Sequence, residues 1–184
     1  LRDKRILLFG GSGSLGTKFV ETYGNNGNTI IIFSRDENKH WSLSGKDAFK
    51  DVQFIIGDIR DNNRVREVLL SVNPHIVIIA SAMKHIDRCE YETREAYLTN
   101  CFGVENIMKV VKEYYDGIER VVFISTDKAC SPINTYGISK ALGRPFTFIC
   151  LGGATDASFL EGHDYTYEGS NHGRIVDLLQ LRVG

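Results

Sequence analysis

An apolar run, Val121-Val122-Phe123-Ile124, ends in Ser125-Thr126-Asp127-Lys128, and Tyr136-Gly137-Ile138-Ser139-Lys140 follows eight residues later. Hydroxyl, acid and amine side chains at the end of such a run read as a buried strand delivering chemistry at its carboxyl end. Tyr136 and Lys140 are one helical turn apart and so share a helix face. An ammonium beside a phenol stabilises the phenolate, which makes the tyrosine a usable base near neutral pH. Thr126 can hydrogen-bond the same substrate oxygen. These groups together suit removal of a proton from an alcohol while a hydride leaves the carbon.

A second set of residues could hold the group that takes the hydride. Gly10-Gly11-Ser12-Gly13-Ser14-Leu15-Gly16 lies between an apolar run, Arg5 to Phe9, and an amphipathic segment. Glycines 10, 13 and 16 in that context allow a tight turn, close approach of the backbone to a pyrophosphate, and donors from a helix N-terminus. The next apolar run ends Phe33-Ser34-Arg35-Asp36. A carboxylate there binds the ribose hydroxyls of NAD, whereas an arginine accommodates the 2'-phosphate of NADP. With both present the choice stays open, and Arg35 tilts it toward NADP. Asp58-Ile59 could flank the adenine, and Ala80-Ser81-Ala82 offers small residues where a nicotinamide ribose must pass. Lys84 is counted with these contacts. His85 could touch substrate or simply cap the following helix.

The elements that must position these groups alternate along the chain. Strand-length runs fall at 5–9, 29–33, 52–56, 75–80 and from Val121. Helical patterns fall at about 15–23, at 62–72 (Val65, Val68, Leu69 and Val72 at the spacing of one buried face) and over a long stretch from Thr93 to Tyr115. Strands apolar on both faces, alternating with helices, predict an α/β fold: a doubly wound parallel sheet of Rossmann type. Ligands in such folds sit at the carboxyl ends of the strands, where every polar cluster above falls.

The 184 residues carry a net charge of −1 and no basic run, which argues against nucleic acid or an anionic membrane as partner. The apolar runs are strand-length, far too short to span a bilayer. No charged-then-apolar leader precedes Arg5, so no secretory signal is expected. Cys89, Cys101, Cys130 and Cys150 lack metal spacing and read as reduced thiols of a cytoplasmic protein. His163-Asp164 has no third or fourth ligand nearby, so no metal is expected.

Taken in order, Gly10 to Gly16, Ser34-Arg35-Asp36-Glu37, Gly57-Asp58-Ile59-Arg60-Asp61, Met83-Lys84-His85, Thr99-Asn100, Ser125-Thr126-Asp127-Lys128 and Tyr136 to Lys140 resemble the extended short-chain dehydrogenase/reductases. More narrowly they resemble the UDP-N-acetylglucosamine 4,6-dehydratases of the polysaccharide-biosynthesis (CapD-like) group, over residues 1 to about 140. Phe9 stands where that pattern usually has threonine. The resemblance implies a nucleotide-sugar substrate and a closed redox cycle on bound NADP. Hydride leaves C4 of the sugar as Tyr136 takes the hydroxyl proton, water is lost across C5 and C6, and hydride returns to C6. By matching positions Thr126 orients the C4 oxygen, Asp127 protonates the leaving hydroxyl and Lys128 is the base at C5. Lys140 holds the nicotinamide ribose, and Asn100 fixes a water or backbone group near Lys140. The family forms dimers or larger rings, which leaves a homo-oligomer open.

After Lys140 the pattern changes. Gly143-Arg144-Pro145 is a helix-stop signal, followed by a strand-like run at 146–151 and a last amphipathic stretch. Gly137 to Phe146, Leu151-Gly152-Gly153-Ala154-Thr155-Asp156, Gly162-His163 and Gly173-Arg174-Ile175-Val176 resemble a fragment of the AAA+ module of Lon-type proteases. No Walker A loop or Walker B acid accompanies it, so no ATP site is expected. The sequence thus predicts a truncated Rossmann domain at 1–140 and a Lon-like fragment at 141–184, a chimera. Such a chain would bind NADP with dehydration absent or very slow, or act as a cofactor-binding module without turnover.

Overall fold

The computed structural model describes residues 1–114 and 117–144. Five strands, β1 (Arg5–Phe9), β2 (Thr29–Ser34), β3 (Gln53–Ile56), β4 (Ile76–Ile79) and β5 (Arg120–Phe123), form one parallel sheet in the order β3-β2-β1-β4-β5. Between them run α1 (Ser14–Tyr23), α2 (Glu37–Ser44), α3 (Asn62–Val72), α4 (Ile86–Tyr91), α5 (Thr93–Tyr97) and α6 (Gly103–Glu113), and α7 (Thr135–Leu142) follows β5.

The period-two alternation of strand side chains divides the core into two layers. Leu7, Phe9, Ile31, Phe33, Val77, Ile79, Val121 and Phe123 pack with Val65, Val68 and Leu69 of α3 and with Val104, Ile107 and Val111 of α6. Ile6, Leu8, Ile30, Ile32, Ile76 and Ile78 face the other way, against Val20 of α1, Leu43 of α2 and Phe49. Covering both faces is what makes these strands apolar throughout. Phe9 is fully buried, its ring edge-on to Phe33 with centroids 5.1 Å apart, so the departure from threonine is absorbed as core.

The chain lays β2 and β3 on one side of β1, then crosses to place β4 and β5 on the other. That reversal between β1 and β4 opens a crevice at the carboxyl ends of the strands.

The long helix expected over 93–115 is interrupted. Leu98–Phe102 forms a wide π turn between α5 and α6. Thr99, Asn100 and Cys101 are buried in succession there, and a regular helix with 3.6 residues per turn cannot point three neighbours inward. Two helices gave no clear sequence signal. In α2 only His40 and Leu43 are buried, and its start rests on a cap, Asp36 accepting from the Lys39 N–H. In α4, six residues long, only Cys89 is buried. The end of α7 falls where the glycine-then-proline signal puts it. A Cβ on Gly143 would meet the Asn100 oxygen at 2.0 Å, so that turn needs glycine for close approach. The strand-like run at 146–151 and the remaining tail lie outside the described residues.

No helix among the described residues is long and apolar enough to cross a membrane. No cluster of possible metal ligands occurs among them either.

Candidate active site

A cleft of about 960 Å³ lies over the carboxyl ends of the strands. Gly10 follows β1 with φ +82°, and a Cβ there would meet Ser81 at 2.6 Å. The loop after β1 therefore turns tightly against the loop after β4, in a conformation glycine adopts without strain. Gly16 does not line the cleft. Its missing Cβ would lie 2.1 Å from the Gly11 oxygen, so it serves the packing of α1 on its own loop. Over Gly13 the space is open: a Cβ would meet only the Gly10 oxygen, at 3.5 Å. Gly13 is also the N-cap of α1 and has no side chain to cap it. Ser12, Gly13, Ser14 and Leu15 thus line the cleft where a ten-residue helix begins, a cradle that fits an anionic diphosphate.

The β2 end supplies Ser34, Arg35 and Asp36. The Ser34 hydroxyl is 2.9 Å from that of Ser12 and 2.7 Å from Nε2 of His40. The Asp36 carboxylate is engaged by Lys39, accepting from its N–H and pairing with its ammonium at 3.0 Å. Hydrogen bonding to the Lys39 N–H is the main cause that lowers its pKa. Arg35 reaches across to Asp58 at 3.5 Å. Burial alone would raise the Asp58 carboxyl, but Arg60, donating through Nε at 2.8 Å and Nη2 at 2.6 Å, and the charge of Arg35 outweigh it and hold the group below the ordinary aspartate value. Glu95 anchors Arg60 from the far side.

Asp58 and the buried Ile59 line one wall, and Ala80, Ser81, Ala82 and Lys84 line the floor after β4. Asn100 does not reach the cleft. Fully buried in the π turn, it accepts from the Met83 N–H and donates to the Met83 oxygen and the Ser139 hydroxyl, each at 2.9 Å. It therefore ties the loop after β4 to α7 beside Lys140. His85 occupies the N-cap position of α4 without a side-chain capping bond.

Tyr136 and Lys140 line the cleft from α7, which Asn134 caps by accepting from the Gly137 N–H. Thr126, Asp127 and Lys128 do not line the cleft, but Thr126 is hydrogen-bonded to Tyr136, which does. Thr126 donates to Asp127 at 2.9 Å, and Lys128 pairs with the same carboxylate oxygen at 3.4 Å. The Thr126 hydrogen bond, with the charge of Lys128, holds the Asp127 carboxyl below the ordinary value. Burial lifts the Tyr136 phenol above the ordinary tyrosine value, against a hydrogen bond with Thr126 and the charge of Lys128.

The Lys140 ammonium donates to the Ile124 oxygen at 2.9 Å and lies over the Phe123 ring at 4.5 Å. The charge of Lys128 favours the phenolate of Tyr136. Burial depresses Lys140 itself to a pKa of about 8.

Sequence reasoning missed Lys39 and His40, because α2 itself was not foreseen; their only signal was a position within one turn of Asp36. Ser125 was passed over as part of its motif. It lines the cleft, and its buried hydroxyl has no hydrogen-bond partner among the described residues. Burial raises the Cys89 thiol, which makes it a weak nucleophile.

The family described as polysaccharide biosynthesis protein matches residues 6–150. The UDP-N-acetylglucosamine 4,6-dehydratase (inverting) of Campylobacter jejuni is 38% identical over 139 residues, covering 74% of this chain and 40% of the relative. A UDP-glucose 4-epimerase of Rickettsia bellii is 35% identical over 145 residues, covering 76% of this chain and 41% of the relative. The chain thus spans about two fifths of the length of these relatives. Among solved structures, Pen from Bacillus thuringiensis superimposes with a TM-score of 0.71 at 34% identity, covering 77% of this chain and 43% of that one. WbmG of Bordetella bronchiseptica, solved in complex with NAD, shares the fold with a TM-score of 0.65 at 24% identity, covering 76% and 47%.

Proposed function

Because this chain belongs to the polysaccharide biosynthesis protein family, within the extended short-chain dehydrogenase/reductases, we propose that it carries the cofactor site and reacting groups of an NADP-dependent nucleotide-sugar 4,6-dehydratase. The observation that carries this reading is the Asp127–Lys128 pair, held by Thr126 next to Tyr136. A reaction that only moves hydride at C4 needs a base there; loss of water across C5 and C6 also needs an acid and a second base.

Ser12 to Leu15 would hold the diphosphate, Ser34, Arg35 and Lys39 the adenosine side, Asp58 and Ile59 the adenine, and Ala80, Ser81, Ala82, Lys84, Tyr136 and Lys140 the nicotinamide riboside. NADP is favoured over NAD because Asp36 is already engaged by Lys39, whereas Arg35, held only by a 3.5 Å contact with Asp58, lines the cleft together with the paired Ser12 and Ser34 hydroxyls. When bound, the dinucleotide accepts hydride from the sugar and later returns it. As the phenolate, the form that the charge of Lys128 favours, Tyr136 takes the C4 hydroxyl proton while Thr126 orients that oxygen.

The low pKa of Asp127 makes the resting carboxylate the wrong form for an acid. The elimination therefore requires the Lys128 ammonium to pass a proton to Asp127 across the 3.4 Å contact between them, once bound substrate has displaced water from the pair. A neutral Lys128 then takes the C5 proton while protonated Asp127 gives its proton to the leaving hydroxyl, which departs as water. The pair ends as it began, so the elimination is proton-balanced within two side chains. The substrate is proposed as a UDP-N-acetylhexosamine, and the buried thiols of Cys89 and Cys101 fit work in the reducing cytoplasm.

Incubating the full chain with NADP+ and UDP-N-acetylglucosamine, with product mass as readout, tests this. Slow loss of water, abolished in Tyr136→Phe and reduced by about 10²–10⁴ in Asp127→Asn, is expected. Formation of a 4-epimer without loss of water would overturn it in favour of an epimerase. No conversion, with NADP+ still bound, would leave a binding module.

A further inference from the structure

His40 is 6% exposed, its ring tilted against Phe54 at 5.1 Å, and its Nδ1 has no hydrogen-bond partner among the described residues. Nε2 is 2.7 Å from the Ser34 hydroxyl, which is 2.9 Å from the Ser12 hydroxyl in the glycine loop. With the ring proton on Nδ1, a buried N–H would be left without an acceptor. With it on Nε2, only a lone pair goes unused, which is the less costly state. Burial keeps the imidazole neutral by lowering its pKa, outweighing the nearby Asp36 carboxylate.

The count of protons then fixes the direction of the chain. His40 donates to Ser34, so neither serine spends its proton on the ring. One of the two hydroxyl protons makes the Ser12–Ser34 bond, and the other is left to point into the cleft. Were His40 the acceptor, both would be consumed and the hydroxyl pair would present only lone pairs to a ligand. We propose that His40 is a positioning residue that sets the Ser34–Ser12 pair as a hydrogen-bond donor to a phosphate on the adenosine side of the cofactor. It acts through Ser34 and touches no ligand itself. This rests on the NADP reading above, since the 2'-phosphate is the group that distinguishes that cofactor at the β2 end.

Calorimetric titration of the full chain with NADP+ and, separately, NAD+ tests it. In His40→Phe, which keeps a ring against Phe54 but has no donor, affinity for NADP+ should fall about three- to tenfold, the worth of one neutral hydrogen bond. NAD+ affinity should change less than twofold. His40→Gln, which can donate from nearly the same place, should restore the preference. Ser34→Ala, a smaller change to packing, should lower the NADP+ preference on its own, and adding His40→Phe to it should cost nothing more. Equal loss for both dinucleotides, or additive losses in the double variant, would overturn the relay while leaving the NADP reading intact. A wild-type chain that binds NAD+ as well as NADP+ would overturn that reading and the relay with it.

Discussion

The ammonium of Lys140 donates to the backbone oxygen of Ile124 at 2.9 Å, so the last residue before Ser125 is tied directly to the helix that carries Tyr136. That bond joins α7 to the segment just after β5. Burial of the charge also makes Lys140 a source of pH-dependent instability.

Its pKa is about 8 in the folded chain against the ordinary 10.5. Below pH 8 the lysine is charged in both states and the cost of burying it is fully present. Between pH 8 and 10.5 the folded state binds fewer protons than the unfolded state, so stability rises with pH. Wild type should therefore gain on Lys140→Met across that window by up to about 3 kcal/mol, measured by urea unfolding at several pH values. A constant gap between the two would contradict the assignment.

Tyr136 should titrate above the ordinary tyrosine value, because desolvation dominates its surroundings. Lys128→Ala removes the cation that favours the phenolate, so it should move the titration higher still. Ultraviolet difference spectra against Tyr136→Phe measure both. No movement on removing Lys128 would argue against that cation as the one acting on the phenol.

Gly13 and Gly16 separate binding from folding. Gly13→Ala adds a methyl into open space, so stability should change by no more than about 0.5 kcal/mol, while dinucleotide affinity falls at least tenfold as the cradle fills. Gly16→Ala drives a methyl into the Gly11 backbone and should cost at least about 2 kcal/mol. Thermal melting with calorimetric titration distinguishes the two.

Asn100→Ala strips partners from the Met83 N–H, the Met83 oxygen and Ser139 at once. It should cost about 3 kcal/mol, seen as a fall in Tm of about 6–12 °C. Because the Met83 loop follows Ser81 and Ala82, cofactor affinity should fall with it.

Much of this was legible in the sequence because each strand advertises itself by residue type. Ile6 to Phe9 and Ile76 to Ile79 are buried on both faces, and burial on both faces favours apolar side chains. The glycine loop was legible because backbone proximity restricts the choice at Gly10 and Gly16. The π turn was not, since Ala96, Val104 and Ile107 keep helical spacing on either side of it. Nor was the destination of Lys140. The spacing from Tyr136 puts both residues on one face, but the Ile124 oxygen it reaches lies 16 residues away in the chain. His40 was hidden for a related reason: its partner is six residues back on β2, and a polar helix gives no periodic signal to place it.

The most direct test of the central claim is thermal melting of the full chain with NADP+, NAD+ and ATP in parallel. A ligand at 100 times its Kd stabilises the fold by about 2.7 kcal/mol, which corresponds to a rise in Tm of about 5–11 °C for a chain of this size. A rise of that order with NADP+, less with NAD+ and none with ATP is the result expected of this cleft. No shift with either dinucleotide would contradict the assignment of the cleft as a nicotinamide cofactor site.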